Sequence, residues 1–277
     1  MSKRNIAIIG NGVYGRALWF LFSKKHDITI FWREIKNDDE RLIDDFVTLS
    51  KHFDYLIISI TTKGLSDLLP KIFSSVSSET HIILAMKWLT ANGLLPIDEC
   101  RKFLPSHRIS ILSGPGFAEE IMSSIPVHLV LASDSLIESE EEDFLVDNLT
   151  LDFTTDIMWV SLCGVLKNIY AIGAGMASKN TGFDRAAYTQ GAVHEMSMIL
   201  ESMGYKGETA HGPAGRGDMW VCTTPHSRNF RFWAGDDSLR DQAEWYNAII
   251  NCKNIIESLW EKSECPIIRE IIRSVNQ

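Results

Sequence analysis

The sequence predicts an α/β protein whose N-terminal part contains a parallel sheet and whose C-terminal part is all helical. Short apolar runs bounded by polar residues recur before residue 135 and alternate with helical stretches. That alternation is typical of a parallel sheet covered on both faces by helices. Beyond about residue 155 the apolar spacing becomes mostly helical. We therefore predict two domains, residues 1–155 and residues 156–277.

The individual elements follow from these patterns. Runs rich in Ile, Leu and Val predict strands at residues 6–9, 27–32, 55–60, 81–85, 108–112 and 128–132. Helices are predicted at residues 16–23, at the polar stretch 38–49, and at residues 159–176 and 186–203.

Composition narrows the class of protein. The 277 residues contain 36 Asp and Glu against 27 Lys and Arg, a net charge of −9. We therefore expect no nucleic-acid partner, because nucleic acid favours a basic surface. No apolar run approaches membrane-spanning length and no signal peptide is expected, so membrane insertion is not predicted. The five cysteines are scattered and the histidines lack metal-binding spacing, which indicates reduced thiols, no metal and a cytoplasmic location.

The first predicted strand runs directly into a G-x-G-x-x-G motif formed by Gly10, Gly12 and Gly15. In this position, backbone amides at the start of the following helix can hold a pyrophosphate. The alternative is a tight strand-to-helix turn without a ligand. The context favours a Rossmann-type dinucleotide-binding domain.

The end of the second strand bears on the choice between NAD and NADP. An acidic residue there would bond a ribose 2′-hydroxyl. Here the chain reads Arg33-Glu34, so Arg33 can pair with a 2′-phosphate and Glu34 can accept from a hydroxyl. The sequence is therefore compatible with either NAD or NADP as the cofactor, with a slight preference for NADP. Arg33 as a solvated surface cation is the alternative.

Two polar groups stand out in the C-terminal part. Lys167 lies in an apolar helix, where it is either a side chain that extends to solvent at the helix edge or a desolvated acid/base. Spacing by itself favours the first interpretation. A glycine-rich loop at residues 212–218 precedes Ser227-Arg228-Asn229, which can hold a phosphate or cap a helix.

Taken together and in this order, these segments resemble the NAD(P)-dependent glycerol-3-phosphate dehydrogenase family. The resemblance runs from about residue 5 to about residue 230. Its motifs are the glycine turn, the run Ser-Gly-Pro-Gly-Phe-Ala-Glu-Glu at 113–120, Leu-Lys-Asn-Ile-Tyr-Ala-Ile at 166–172, Gly217-Asp218 and Ser227-Arg228-Asn229. The 166–172 and 227–229 motifs are the most specific, and their joint occurrence is stronger than either.

The resemblance implies an oxidoreductase of glycerophospholipid metabolism that interconverts glycerol 3-phosphate and dihydroxyacetone phosphate with NAD or NADP. It makes Lys167 the catalytic acid/base. The substrate-binding residues expected are Lys87, Gly114, Asn168, Asp218, Ser227, Arg228 and Asn229. The cofactor-binding residues expected, with Arg33 added from the argument above, are Gly10, Gly12, Val13, Tyr14, Gly15, Arg33, Lys87, Ala118 and Arg228.

This sequence also departs from the family pattern. Trp88 follows Lys87 where glycine is usual, Gly116 replaces a hydroxyl residue, and Cys222 stands where threonine is usual. The family's E-G element does not occur after Asn229. Two alternatives therefore stay open, a dehydrogenase of another small hydroxy substrate and a catalytically silent dinucleotide-binding protein. Whether the protein is a homodimer is also open.

Overall fold

The computed structural model describes residues 3–32, 40–42, 53–72, 75–105, 107–135, 142–205, 207–242 and 265–275. The chain divides into two compact units, Met1–Met158 and Trp159–Gln277. We call them the N-terminal unit and the C-terminal unit.

The N-terminal unit contains one sheet. Its described strands are β1 (Asn5–Ile9), β2 (Asp27–Trp32), β3 (Glu40–Leu42), β4 (Tyr55–Ile58), β5 (His81–Leu84), β6 (Ile109–Ser113), β7 (Val127–Ser133) and β8 (Leu149–Thr154). They are ordered β3-β2-β1-β4-β5-β6-β7-β8. Its first six positions follow the Rossmann order, which reverses direction between β1 and β4. The predicted fold class of this part is confirmed.

Burial explains why these runs form central strands. Every residue of β4, β5 and β6 is buried, so the sheet is covered on both faces there.

The helices are α1 (Val13–Phe22), α2 (Leu65–Ile72), α3 (Pro96–Phe103) and α4 (Ala118–Met122). Leu18 and Phe22 of α1 share one apolar cluster with Ile6 and Ile8 of β1, which fixes the helix against the strand that precedes it.

The strand pairing differs from a fully parallel sheet at one position. β7 pairs antiparallel with β6, with Ser113 opposite Val130. The connection between them contains only the short helix α4. The chain therefore returns to the sheet at the same end at which β6 finishes. A parallel pairing would have required a crossover to the opposite edge.

Two edge strands were not predicted. Residues 40–42 form β3 beside β2, so the helix predicted at 38–49 is wrong there, and the rest of that stretch lies outside the described residues. Pairing with β2 satisfies the backbone of these residues whatever their helical spacing. β8 was missed, although Leu149, Leu151 and Phe153 alternate with polar residues as in a strand with one face buried.

The C-terminal unit is helical throughout its described residues. Its helices are α5 (Ile157–Ala177), which begins just before the unit boundary, α6 (Arg185–Ser202), α7 (Asp218–Cys222), α8 (Arg228–Ala234) and α9 (Pro266–Val275). The predicted all-helical class is confirmed for this part of the chain. By length and apolar composition α5 could cross a membrane, but 94% of its most apolar window is buried, as in a core helix.

Helix α5 is approached closely by its neighbours. A Cβ at Gly173 would overlap Tyr188 of α6 and Ile271 of α9, and one at Gly175 would overlap the Phe230 carbonyl of α8. Because these two positions carry only hydrogen, three helices pack directly against the α5 backbone. This contact places α5 at the centre of its unit.

Candidate active site

The glycine turn after β1 contains two glycines that the fold itself requires. Gly10 has φ +125°, and a Cβ there would overlap the Ser59 carbonyl that follows β4. A Cβ at Gly15, in the first turn of α1, would overlap the Gly10 carbonyl. Any side chain at either position would therefore disrupt the turn or push α1 away from the sheet.

Gly12 differs from both. It has φ −74°, which any residue adopts, and a Cβ there would meet no atom of the described residues within 4 Å apart from its chain neighbours. Nothing in the described protein requires glycine here, so the open space is consistent with a group that comes close to the backbone. Gly12 also precedes the first turn of α1 without a side chain to cap its amides. These features fit the pyrophosphate of a dinucleotide.

The neighbouring residues of the turn occupy different environments. Val13, the first residue of α1, is 70% exposed, although it is a large apolar side chain. Tyr14 is half-buried and packs against the core cluster of the N-terminal unit. Arg33 lies outside the described residues, so the prediction about NADP is not tested by the structure.

Two further predicted residues lie just after the carboxyl ends of β5 and β6. Lys87 donates a hydrogen bond from Nζ to the Gly114 carbonyl at 2.9 Å. Gly114 has φ +113°, and a Cβ there would lie 2.9 Å from the His128 carbonyl of β7. Ala118 begins α4. In a doubly wound sheet the ligand binds outside the carboxyl ends of the strands, where these residues and the glycine turn are placed.

Gly116, one of the departures from the family pattern, lies close to a neighbouring side chain. A Cβ there would lie 3.1 Å from Cδ2 of Leu129, so a larger residue would require Leu129 to move by a few tenths of an ångström. Trp88 is half-buried beside Lys87.

In the C-terminal unit, Lys167 of α5 forms an ion pair with Asp218, the first residue of α7. Nζ and Oδ2 are 2.5 Å apart, and the two side chains are 5% and 4% exposed. The interpretation of Lys167 as a side chain extending to solvent is therefore wrong. Two desolvated charges tolerate burial only when each compensates the other. The pair places the Lys167 amine in a buried site, shielded from solvent.

The glycine-rich loop positions Asp218. Residues Pro213–Gly217 form a π-helical turn that leads into α7, a rare conformation often found at functional sites. A Cβ at Gly215 would overlap the Ala210 carbonyl, so this tight turn requires glycine. The buried Cys222 thiol, one turn further along α7, lies 3.8 Å from Oδ1 of Asp218.

The two asparagines are joined to each other. Asn168 donates from Nδ2 to the Gly164 carbonyl at 2.9 Å, and its Oδ1 accepts from Nδ2 of Asn229 at 3.0 Å. Ser227 accepts from the Phe230 amide at 3.4 Å and so caps α8. The structure thus brings residues of α5, α7 and α8 from separate sequence motifs into one polar cluster.

Arg228 is placed differently from its neighbours. Its side chain is exposed and makes no hydrogen bond or ion pair with another residue that the structure describes. Its guanidinium is therefore available to an anionic group. His226, two residues before it, is also exposed.

Sequence analysis missed two buried polar residues close to this cluster. Tyr170, on α5, donates a hydrogen bond to Glu195 of α6 at 3.2 Å. A signal was present in the sequence, since Glu195 lies among Ala192, Val193, Met196 and Ile199 on the buried side of a helix. A carboxylate at such a position needs donors.

Comparison with known proteins identifies the family. Residues 156–277 match the family model for the C-terminus of NAD-dependent glycerol-3-phosphate dehydrogenase, and residues 41–138 match the model for its N-terminus. A glycerol-3-phosphate dehydrogenase [NAD(P)+] from Agrobacterium fabrum is 30% identical over 261 residues, covering 84% of this chain and 79% of the relative. One from Legionella pneumophila is 29% identical over 265 residues, covering 84% and 78%.

Solved structures agree with the fold. A crystal structure of glycerol-3-phosphate dehydrogenase from Coxiella burnetii aligns with a TM-score of 0.85 and 23% identity, covering 99% of this chain and 94% of that one. Both halves of the chain match the same family, and residues of its two most specific motifs meet in one cluster of the C-terminal unit. The chain belongs to the NAD-dependent glycerol-3-phosphate dehydrogenase family.

Proposed function

We propose that this protein is an NAD(P)-dependent oxidoreductase that interconverts glycerol 3-phosphate and dihydroxyacetone phosphate. The observation that carries the proposal is the buried Lys167–Asp218 pair beside Asn168 and Asn229. The open space at Gly12 supports a dinucleotide in the same chain. The relatives described above carry that activity in their names.

Lys167 is the proposed acid/base. A bound nicotinamide supplies a hydride to the substrate carbon or accepts one from it. In ketone reduction, the Lys167 ammonium donates a proton to the carbonyl oxygen; in alcohol oxidation, the neutral amine takes that proton back. Asp218 holds Nζ in place, so that the ammonium is oriented before the reaction. The charge on Lys167 also stabilises the oxygen as it becomes negative.

The remaining residues bind. Asn168 and Asn229 hydrogen-bond each other and are proposed at the substrate. Arg228 and Ser227 are proposed at the substrate phosphate, and Arg228 also at the dinucleotide. Lys87 and Gly114 are proposed at the substrate, with Lys87 also at the cofactor. Gly10, Gly12, Val13, Tyr14, Gly15 and Ala118 are the proposed dinucleotide contacts.

Arg228→Lys tests the phosphate role. Lysine keeps the charge but loses the planar fork that bonds two phosphate oxygens. Losing one charge-assisted hydrogen bond costs about 1.5 kcal/mol, so the Michaelis constant for dihydroxyacetone phosphate should rise roughly tenfold. Inhibition by inorganic phosphate should weaken in parallel. Arg231→Lys is the matched control, because Arg231 lies on the same helix and pairs with Asp236. An unchanged Michaelis constant and unchanged phosphate inhibition would remove Arg228 from this site.

Arg33→Ala tests cofactor preference. If Arg33 pairs with the 2′-phosphate, the contact contributes about 1–3 kcal/mol to NADPH binding. The variant should then lose roughly 5- to 150-fold in NADPH affinity and little in NADH affinity. Titration by nicotinamide fluorescence measures both. An equal loss for both nucleotides, or no loss, would make Arg33 a surface cation.

A second candidate is a dehydrogenase of another small hydroxy substrate. It is favoured by the residue after Lys87, since the half-buried Trp88 stands where the family pattern has glycine. The two candidates are distinguished by the rate at which nicotinamide absorbance falls. NADH or NADPH is mixed with the protein and dihydroxyacetone phosphate, and then with other small ketones in its place. Binding of the nucleotide with no ketone reduced would support a silent binding protein. We propose that the protein is cytoplasmic. Sedimentation measurements of its mass in solution would show whether it forms a homodimer.

A further inference from the structure

Three polar side chains on one turn of α5 contact three different helices. Lys167 reaches Asp218 of α7, and Asn168 reaches Asn229 of α8. Tyr170 then reaches Glu195 of α6 through its hydroxyl. The first two contacts belong to the proposed active site. The third is not part of that site and calls for a separate explanation.

Glu195 joins the C-terminal helix to this turn. Its carboxylate accepts from the Ile267 amide at 2.6 Å and from the Ile268 amide at 3.2 Å, both in the first turn of α9. First-turn amides have no acceptor within their own helix. Glu195 therefore caps α9 from another helix while it also accepts from Tyr170. Ile271 of α9 lies against Gly173, so α9 contacts α5 directly as well.

The junction formed by Tyr170, Glu195 and the first turn of α9 is buried. Tyr170 is fully buried and Glu195 is 3% exposed. Burial raises the pKa of Glu195, whereas the Ile267, Ile268 and Tyr170 hydrogen bonds and the charge of Arg269 oppose that rise. Burial, then the nearby Glu195 charge, raises the pKa of Tyr170 well above its usual value, so the hydroxyl stays protonated and donates.

We propose that Glu195 is a positioning residue for Lys167. Through Tyr170 it fixes the turn of α5 that carries Lys167 and Asn168, and it makes α9 a structural part of the catalytic unit. The inference rests on the proposed function, in which Lys167 is the acid/base. A displacement of about 1 Å in a reacting group can cost on the order of 100-fold in rate, so a small shift of α5 should be measurable.

Tyr170→Phe and Glu195→Gln test the link. Phenylalanine removes only the hydroxyl, and glutamine keeps the shape of the side chain but cannot accept at both former oxygens. Both variants should lose kcat by about tenfold or more, with the Michaelis constant and dinucleotide affinity changed less than about twofold, because positioning acts on the reacting step. Ser197→Ala is the control: it lies on α6 and loses one buried hydrogen bond, to the Gly207 carbonyl, away from α5.

Hydrogen exchange provides a readout that does not depend on activity. Amides at residues 163–170 should exchange faster in Tyr170→Phe than in wild type and in Ser197→Ala, while those at residues 5–32 stay unchanged. Wild-type kcat together with wild-type exchange in both variants would overturn the inference. If wild-type protein reduces no dihydroxyacetone phosphate, the proposed function fails, and exchange at 163–170 still decides whether Glu195 holds this turn.

Discussion

Lys167→Met should lower turnover of dihydroxyacetone phosphate by about 10²–10⁴-fold, the usual contribution of a positioned acid/base. Methionine keeps the aliphatic length of the side chain and removes its charge and its proton. The carbonyl oxygen then acquires negative charge without a nearby cation or proton donor. Dinucleotide affinity should stay near the wild-type value, since the proposed pyrophosphate site is at Gly12. Steady-state kinetics and fluorescence titration measure the two quantities.

A control must separate chemistry from stability in this experiment. Removing Lys167 leaves the buried Asp218 carboxylate uncompensated, which can cost about 3–5 kcal/mol of folding free energy. The double variant Lys167→Met, Asp218→Asn removes both charges and should recover most of the lost thermal stability while remaining inactive. Recovered turnover in either variant would mean that packing at residue 167 matters and its charge does not. Lys167→Ala should be as inactive as Lys167→Met.

Gly12→Val should abolish tight dinucleotide binding without destabilising the protein. A Cβ at position 12 would meet no atom of the described residues within 4 Å apart from its chain neighbours, so we expect the folded chain to accommodate a side chain there. A pyrophosphate held by the backbone there would overlap the new side chain. If relieving the overlap costs roughly 3 kcal/mol, affinity falls about 100-fold or more. Fluorescence titration with NADH and NADPH gives the affinity, and thermal unfolding gives the stability.

Gly15→Ala is the matched comparison within the same motif. Its Cβ would overlap the Gly10 carbonyl, so this variant should lose thermal stability, whereas Gly12→Val should not. The two outcomes distinguish a glycine required by the fold from one required by a ligand. Wild-type affinity in Gly12→Val would show that the dinucleotide site has been placed wrongly.

The sequence predicted the fold class well because its strongest signals are local. Buried parallel strands such as β4 and β5 are continuous apolar runs, and the glycine motif marks the turn into α1. The short edge strand β3 carries no such signal, because its pairing with β2 depends on where the chain returns to the sheet. The antiparallel direction of β7 likewise follows from the connection through α4.

The site was predicted less completely, for a different reason. The motifs identify the candidate residues. Their spacing could not show that Lys167 and Asp218 form a buried pair, because distant segments of the sequence make that contact. Spacing in fact favoured a solvated lysine. The junction of Tyr170, Glu195 and α9 was missed because one partner of Glu195 is the backbone of a helix far along the chain, which no side-chain pattern reveals.

Transfer of a deuteride tests the central claim most directly. Wild-type protein is incubated with dihydroxyacetone phosphate and NADH or NADPH deuterated at the transferable position, and the product is examined by mass spectrometry. The account predicts glycerol 3-phosphate with one deuterium at the former carbonyl carbon, formed by the wild type and, far more slowly, by Lys167→Met. Absence of deuterated glycerol 3-phosphate from the wild type with either nucleotide would contradict it.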